Sequence, residues 1–197
     1  MSQKIRTLHC LSMQSNRILI VWLVSWVLTL SACHGRLAEN VNRMMHESVK
    51  LDTVDMENVN IHGSIYNSVG SNSEFTLVVY NDEFECLSCK VSRLNEWHRF
   101  LTQIYDAYHD VKVCFIFSPP NDNTDDIREL IGEQGFRHPV FIDSNHLFER
   151  ENSWLPVESL YHTFLVDKDN RIVLVGNPLK NQKIRKMLFE IIEKQHN

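Results

Sequence analysis

The chain has 197 residues, 43% of them hydrophobic and 23% charged, with a formal net charge of −5, a balance that suits one globular domain with additional sequence at its N-terminus. The first 32 residues hold Lys4, Arg6 and Arg17 and no acid, which leaves 17 basic residues against 25 acidic ones beyond them, a balance of −8. An acidic body without clustered Lys and Arg excludes a nucleic-acid partner, because phosphate backbones are bound by concentrated positive charge.

Arg17 precedes a mostly apolar run from Ile18 to Leu30, and Ser31, Ala32 and Cys33 follow it directly. The run is short of the roughly 20 apolar residues that a spanning helix needs, although an uncleaved anchor is the competing reading. Leu30, Ser31, Ala32 and Cys33 resemble the lipobox of a bacterial lipoprotein signal. The resemblance implies that residues 1–32 are a signal peptide, that cleavage follows Ala32, and that Cys33 carries lipid and makes the membrane a partner. Met13 by itself begins a compact signal ending at Cys33 and is an alternative start. Several acyl chains hold a protein on a bilayer stably, where one does so only marginally. Cys33 is followed by His34 rather than the Asp that retains lipoproteins at an inner membrane. The expected location is therefore the cell envelope, on the outer membrane facing the periplasm, a compartment that permits disulfides.

Residues 33–52 are expected to form the lipidated N-terminus and a linker. Leu37, Val41, Met44, Met45 and Val49 stand near helical spacing within it. Residues 53–197 are expected to form the domain. It opens with short β-like pieces, Val59 to Ile61 and Ser64 to Tyr66, and a loop from Asn67 to Ser73.

Phe75 to Tyr80 reads as a buried strand, which breaks into an acidic turn and is followed by Cys86, Leu87, Ser88 and Cys89 at the start of a long amphipathic helix. A dithiol at a strand-to-helix junction is a redox arrangement. Free backbone N–H groups and the positive end of the helix dipole favour a thiolate there, and two intervening residues let the second sulfur reach the first. Cys86 is the expected nucleophile and Cys89 the resolving thiol. Asp82, Glu83 and Glu85 crowd the pair with negative charge that opposes thiolate formation, which favours a reducing protein. Val91, Leu94, His98, Leu101, Tyr105 and Tyr108, widened by Trp97 and Ile104, then recur at helical steps and mark a core-packing face.

Val111 to Phe117 reads as a central strand containing Cys114, a small buried hydrophobe. A loop with Pro119 and Pro120 leads to a helix from about Thr124 to Gln134, whose Asp125 and Asp126 suit the helix dipole. Pro139 to Asp143 is a short strand, and Ser144 to Trp154 a short helix and loop. Leu160 to Asp167 and Arg171 to Val175 are two strands around the turn residues Lys168, Asp169 and Asn170. A final helix carries Ile184, Met187, Leu188, Ile191 and Ile192 at helical steps.

This order predicts an α/β fold, a mixed sheet covered on both faces. The strand before Cys86, the dithiol at a helix start, the inserted strand and the sequence Thr163 to Val173 resemble a thioredoxin-like domain, particularly its membrane-tethered thiol-disulfide oxidoreductases. The resemblance implies a thioredoxin-like mixed sheet flanked by helices, catalysis by Cys86 and Cys89, no cofactor, and a protein thiol or disulfide as partner. It also places Tyr161 and His162 in the substrate-binding loop, where the family has a cis-proline that shapes the backbone pairing with a substrate peptide. A non-proline cis bond costs several kcal/mol, so a trans loop is expected. Two alternatives stand beside this reading: a non-catalytic binding domain with a static disulfide, and a metal-binding variant in which His162 joins Cys86 and Cys89.

Overall fold

The computed structural model describes residues 35–53, 55–59, 73–82, 93–108, 111–120, 124–133, 136 and 138–195. The chain divides into two compact units, Met1–Asn42 and Arg43–Asn197, and residues 35–44 are helical. The second unit holds six strands: β1 (Glu57–Val59), β2 (Phe75–Asn81), β3 (Val111–Phe117), β4 (Val140–Ile142), β5 (Thr163–Asp167) and β6 (Ile172–Val175). Its helices are α1 (Leu94–Ala107), α2 (Thr124–Glu133), α3 (Leu147–Glu151) and α4 (Gln182–Gln195), with a 3-10 turn at Ser159–Tyr161.

The strands form one mixed sheet in the order β1, β4, β3, β2, β5, β6. β2 pairs in parallel with β3 along its whole length, Phe75 opposite Val111 through Asn81 opposite Phe117, and β3 pairs in parallel with β4. β5 is antiparallel to β2, β6 to β5, and β1 to β4. The central strands are near-continuous apolar runs because both of their faces are covered, as parallel strands require. Leu77, Val79, Val113, Phe115 and Phe117 join one cluster with Leu94, Trp97, Leu101 and Ile104 of α1, Ile127 and Ile131 of α2, and Leu188 and Ile192 of α4. The alternate residues point to the opposite face, since side chains alternate along a strand. There Tyr80 meets Phe148 of α3 at 5.0 Å between ring centroids, and Phe164 meets Trp154 at 6.1 Å.

Trp97 is a packing residue, set edge-on to Phe115 at 5.6 Å. Cys114 is fully buried and free, and burial raises its thiol pKa far above the usual range. One boundary departs from expectation. Leu160 does not begin a strand: Tyr161 N–H donates to Glu158 O and His162 N–H to Ser159 O, so the backbone turns and β5 starts only at Thr163. Of the β-like pieces expected after Leu51, Val59 ends β1, and residues 60–72 lie outside the described residues.

His138 is buried against Phe136, at 4.9 Å between ring centroids, and stacks on Tyr105 at 5.6 Å. Its Nε2 lies 3.2 Å from Nδ1 of His98, a bond in which one ring donates to the other. Burial, then the nearby His98, pushes its pKa down to about 4. A histidine held neutral in the fold contributes stability above its unfolded pKa of about 6.5, and that contribution is lost as pH falls toward 4. The domain should therefore lose about 3 kcal/mol between pH 7 and pH 4 from this group. Urea titrations of His138→Leu against the parent should show a flatter acid limb in the variant; parallel limbs would refute the assignment.

Candidate functional site

β2 carries the chain to Asn81 and Asp82, four residues before Cys86 in sequence. Cys33, Cys86 and Cys89 lie outside the described residues, as does the expected helix start; α1 is described from Leu94. The surroundings of the strand end are described, and they bring together three segments distant in sequence.

Asn81 ties the first to its neighbour: Ser118 N–H donates to its carbonyl at 2.8 Å, and its Nδ2 reaches Ile116 O at 3.3 Å. The second segment is the loop before β5. Tyr80 N–H donates to His162 O at 2.8 Å, which continues the β2–β5 pairing one step past Thr163. Tyr161 and His162 are both buried, and no described peptide bond is cis. The third is the bend after β6, where Gly176 N–H donates to Thr163 O at 2.8 Å. Gly176 has φ +127°, and a Cβ there would meet Ile184 at 3.0 Å, so glycine is needed on both counts. Asn177 Oδ1 then accepts from Leu179 N–H at 2.8 Å and fixes the approach to α4.

His162 is the least expected part of the site. Its side chain turns inward, and Nε2 lies 2.8 Å from the carbonyl of Pro156. A carbonyl only accepts, so Nε2 carries the hydrogen. Nδ1 faces Oδ2 of Asp82 at 3.3 Å, within ion-pair range but off the line of a good hydrogen bond, and both side chains are only 6% exposed. A metal at His162 would have to displace one of these two partners. Among the described residues, no group of three His, Cys, Asp or Glu side chains is placed to hold a metal.

Behind this pair Tyr80 donates to Glu149 Oε2 at 3.4 Å, and its ring lies 5.2 Å from that of His162. Its phenol pKa is raised well above the usual range by burial first; a hydrogen bond with Ser118 opposes the shift, and the charges of Glu149, Asp82 and Asp143 reinforce it. Burial thus favours the neutral phenol, which donates. Asp143 closes the layer, accepting from Leu147 N–H and Phe148 N–H at 2.9 and 2.8 Å and so capping α3.

Outside the pair runs an open groove whose lining includes Arg93, Glu96 and Trp97 of the α1 start, Asn177 and Lys180 of the bend, and His162. The sequence marked His162 as a loop residue and Asp82 only as a negative charge. Nothing in their spacing announced that they meet, because they lie 80 positions apart and are joined only by the β2–β5 register.

Known structures share this architecture. A thioredoxin-like protein in the oxidised form, solved in solution, is 17% identical with a TM-score of 0.50, over 74% of this chain and 97% of that one. An uncharacterised thioredoxin-like protein from Porphyromonas gingivalis is 15% identical with a TM-score of 0.53, over 77% and 97% of the two chains. No protein-family model matches the chain, and no curated protein matches it in sequence. At such identities the likeness defines the fold: the chain has a thioredoxin-like fold, a six-stranded mixed sheet with helices.

The pairing of Asp82 with His162 makes a quantitative expectation. His162→Ala takes the imidazole away from Asp82 and strands the buried carbonyl of Pro156, at a cost of about 1 to 3 kcal/mol. Removing Asp82 alone takes away the carboxylate that faces Nδ1. In a double-mutant cycle of His162→Ala and Asp82→Ala, followed by urea denaturation, the coupling should be about 1 kcal/mol or more. Strict additivity would mean that the two side chains do not interact.

Proposed function

We propose that this protein is a membrane-tethered, extracytoplasmic thiol-disulfide oxidoreductase that reduces disulfides in partner proteins through Cys86 and Cys89. The observation that carries the reading is the coincidence of a Cys-x-x-Cys sequence four residues beyond Asp82 with a thioredoxin-like sheet whose β2 ends at that point. In sequence the dithiol follows the C-terminal end of a central strand that also pairs with the loop at His162, a setting that suits exchange chemistry.

In the reaction the Cys86 thiolate attacks one sulfur of the partner disulfide, and the other sulfur leaves as a thiolate that takes up a proton. Cys89, losing its own proton, then attacks Cys86 in the mixed disulfide and releases the second partner sulfur. Two electrons pass to the partner, and the protein keeps a Cys86–Cys89 disulfide. A dithiol donor elsewhere in the envelope must reduce that disulfide for turnover. Tyr161 and His162 form the loop against which the partner segment docks.

The tether is the lipidated Cys33, with residues 1–32 removed as a signal peptide, 33–52 following as the lipidated N-terminus and linker, and residues 53–197 forming the redox domain at the outer membrane, facing the periplasm. Among the described residues no helix is long and apolar enough to cross a membrane, and the run from Ile18 to Leu30 lies outside them. A second reading, a binding domain with a static disulfide, is favoured by His162, whose inward side chain and hydrogen bond to Pro156 make a docking loop unlike one built on proline.

Two measurements test the proposal. With insulin as the disulfide substrate, Cys86→Ser should abolish reduction, and Cys89→Ser should accumulate a mixed disulfide visible by non-reducing mass spectrometry. A Cys89→Ser protein that never captures a partner sulfur would exclude Cys86 as nucleophile. In cells, Cys33→Ala should move the protein from the membrane to the soluble envelope fraction and remove its acyl mass.

A further inference from the structure

The open groove beside His162 is lined by three segments: the strand ends at Asn81 and Thr163, the start of α1 with Arg93 and Glu96, and the bend after β6 with Lys180. Two amides of this lining are engaged in holding it together. Asn81 Nδ2 donates to Ile116 O at 3.3 Å, and Asn177 Oδ1 accepts from Leu179 N–H at 2.8 Å. Recognition of a ligand therefore falls first to the charged side chains Arg93, Glu96 and Lys180, all of them exposed.

These are two cations and one acid, in a chain that beyond residue 32 carries 17 basic residues against 25 acidic ones. Among the described residues none of the three makes an ion pair. Arg93 and Glu96 stand at the start of α1 with the i, i+3 spacing at which opposite charges meet on a helix, and still they do not pair. Elsewhere such charges do: Arg128 takes Asp125 at the same spacing and Glu57 besides, and Lys186 takes Glu190. The groove thus offers positive charge from α1 and from the bend that no ion pair within the described residues neutralises. Apolar surface adjoins it, since Leu160, 52% exposed, follows Ser159 of the lining. Charge from two segments beside exposed apolar surface suits a polypeptide better than a free inorganic anion.

We propose that this groove binds an extended polypeptide segment bearing an Asp or Glu side chain, with Arg93 and Lys180 favouring the carboxylate and Glu96 opposing it. Binding needs only residues of the groove, whereas delivery of a disulfide by the bound segment rests on the reading of Cys86 and Cys89 as the reactive pair.

The test is fluorescence anisotropy with the full-length protein in detergent, carrying Cys86→Ser and Cys89→Ser, and short cysteine-free peptides that differ only in a central Glu, Gln or Lys. The Glu peptide should bind at least about threefold more tightly than the Gln peptide, and the Lys peptide most weakly. Arg93→Gln and Lys180→Gln should each weaken the Glu peptide by about twofold to fivefold and leave the Gln peptide unchanged, while Glu96→Gln should strengthen the Glu peptide. Lys186→Gln, which removes an exposed cation outside the groove, should leave the preference intact. In about 1 M salt, where the Debye length is roughly 3 Å, the preference should vanish. Absence of binding, or equal binding of the Glu and Gln peptides, would overturn the proposal. So would a loss from Lys186→Gln as large as that from Lys180→Gln, because the net charge of the protein and not the groove would then be responsible. All four charge variants change exposed positions, and the opposite sign expected for Glu96→Gln separates recognition from damage to the fold. Neither protein nor probe holds a reactive dithiol in this assay. A failure of the parent to reduce insulin therefore refutes the redox reading and not this one, whereas binding without charge preference refutes the selectivity of the groove and not the redox reading.

Discussion

The β2–β3 pairing is the constraint from which the rest of the molecule follows. Seven consecutive residues of each strand are in register, and nearly all of them are buried on a sheet covered on both faces. A strand enclosed in this way ends where the sequence next supplies polar groups, and here those are Asn81 and Asp82. Polar groups at that depth must find partners. Asn81 finds the carbonyl of Ile116, and Asp82 finds His162 across the β2–β5 register. The place where the core stops thus lies, in sequence, four residues before Cys86.

His162 is a different solution to holding a loop against a strand end than a ring-locked backbone. The loop is held by the His162 side-chain hydrogen bond to Pro156 O and the backbone bond from Tyr80, with Asp82 Oδ2 3.3 Å from the other ring nitrogen. His162 also fills the space beneath the loop with an imidazole and leaves Val157 and Leu160, 71% and 52% exposed, on the outside. The open groove beside them is lined by Arg93, Glu96 and Lys180 among others.

Much of this was legible in the chain because the signals are periodic. The apolar runs of β2 and β3, the helical stripes of α1 and α4, and the turn residues between β5 and β6 each state a local preference that the fold obeys. The meeting of Asp82 and His162 was not legible, since it depends on a register between strands that sequence spacing does not encode. Nor was the turn at Ser159–Tyr161, where an apolar and aromatic composition suggested a strand and the local hydrogen bonds decided otherwise. The clamp of Lys50 by Asn152 was hidden for the same reason, a contact across 102 positions made by two ordinary polar residues. Cys86 and Cys89 read as a reactive pair from their spacing together with the strand before them, the helical pattern after them and the resemblance these features carry.

The central claim is that Cys86 and Cys89 exchange reversibly with external thiols. Equilibrating the folded domain, with residues 1–33 removed, in graded glutathione and dithiothreitol buffers and counting free thiols by mass spectrometry measures this directly. The account predicts a two-electron titration of the Cys86–Cys89 pair at a definable potential, on the reducing side as the acidic flanks suggest, with Cys114 unmodified throughout. A pair that stays oxidised across the whole series and opens only in denaturant would contradict it and leave a static disulfide in a binding domain.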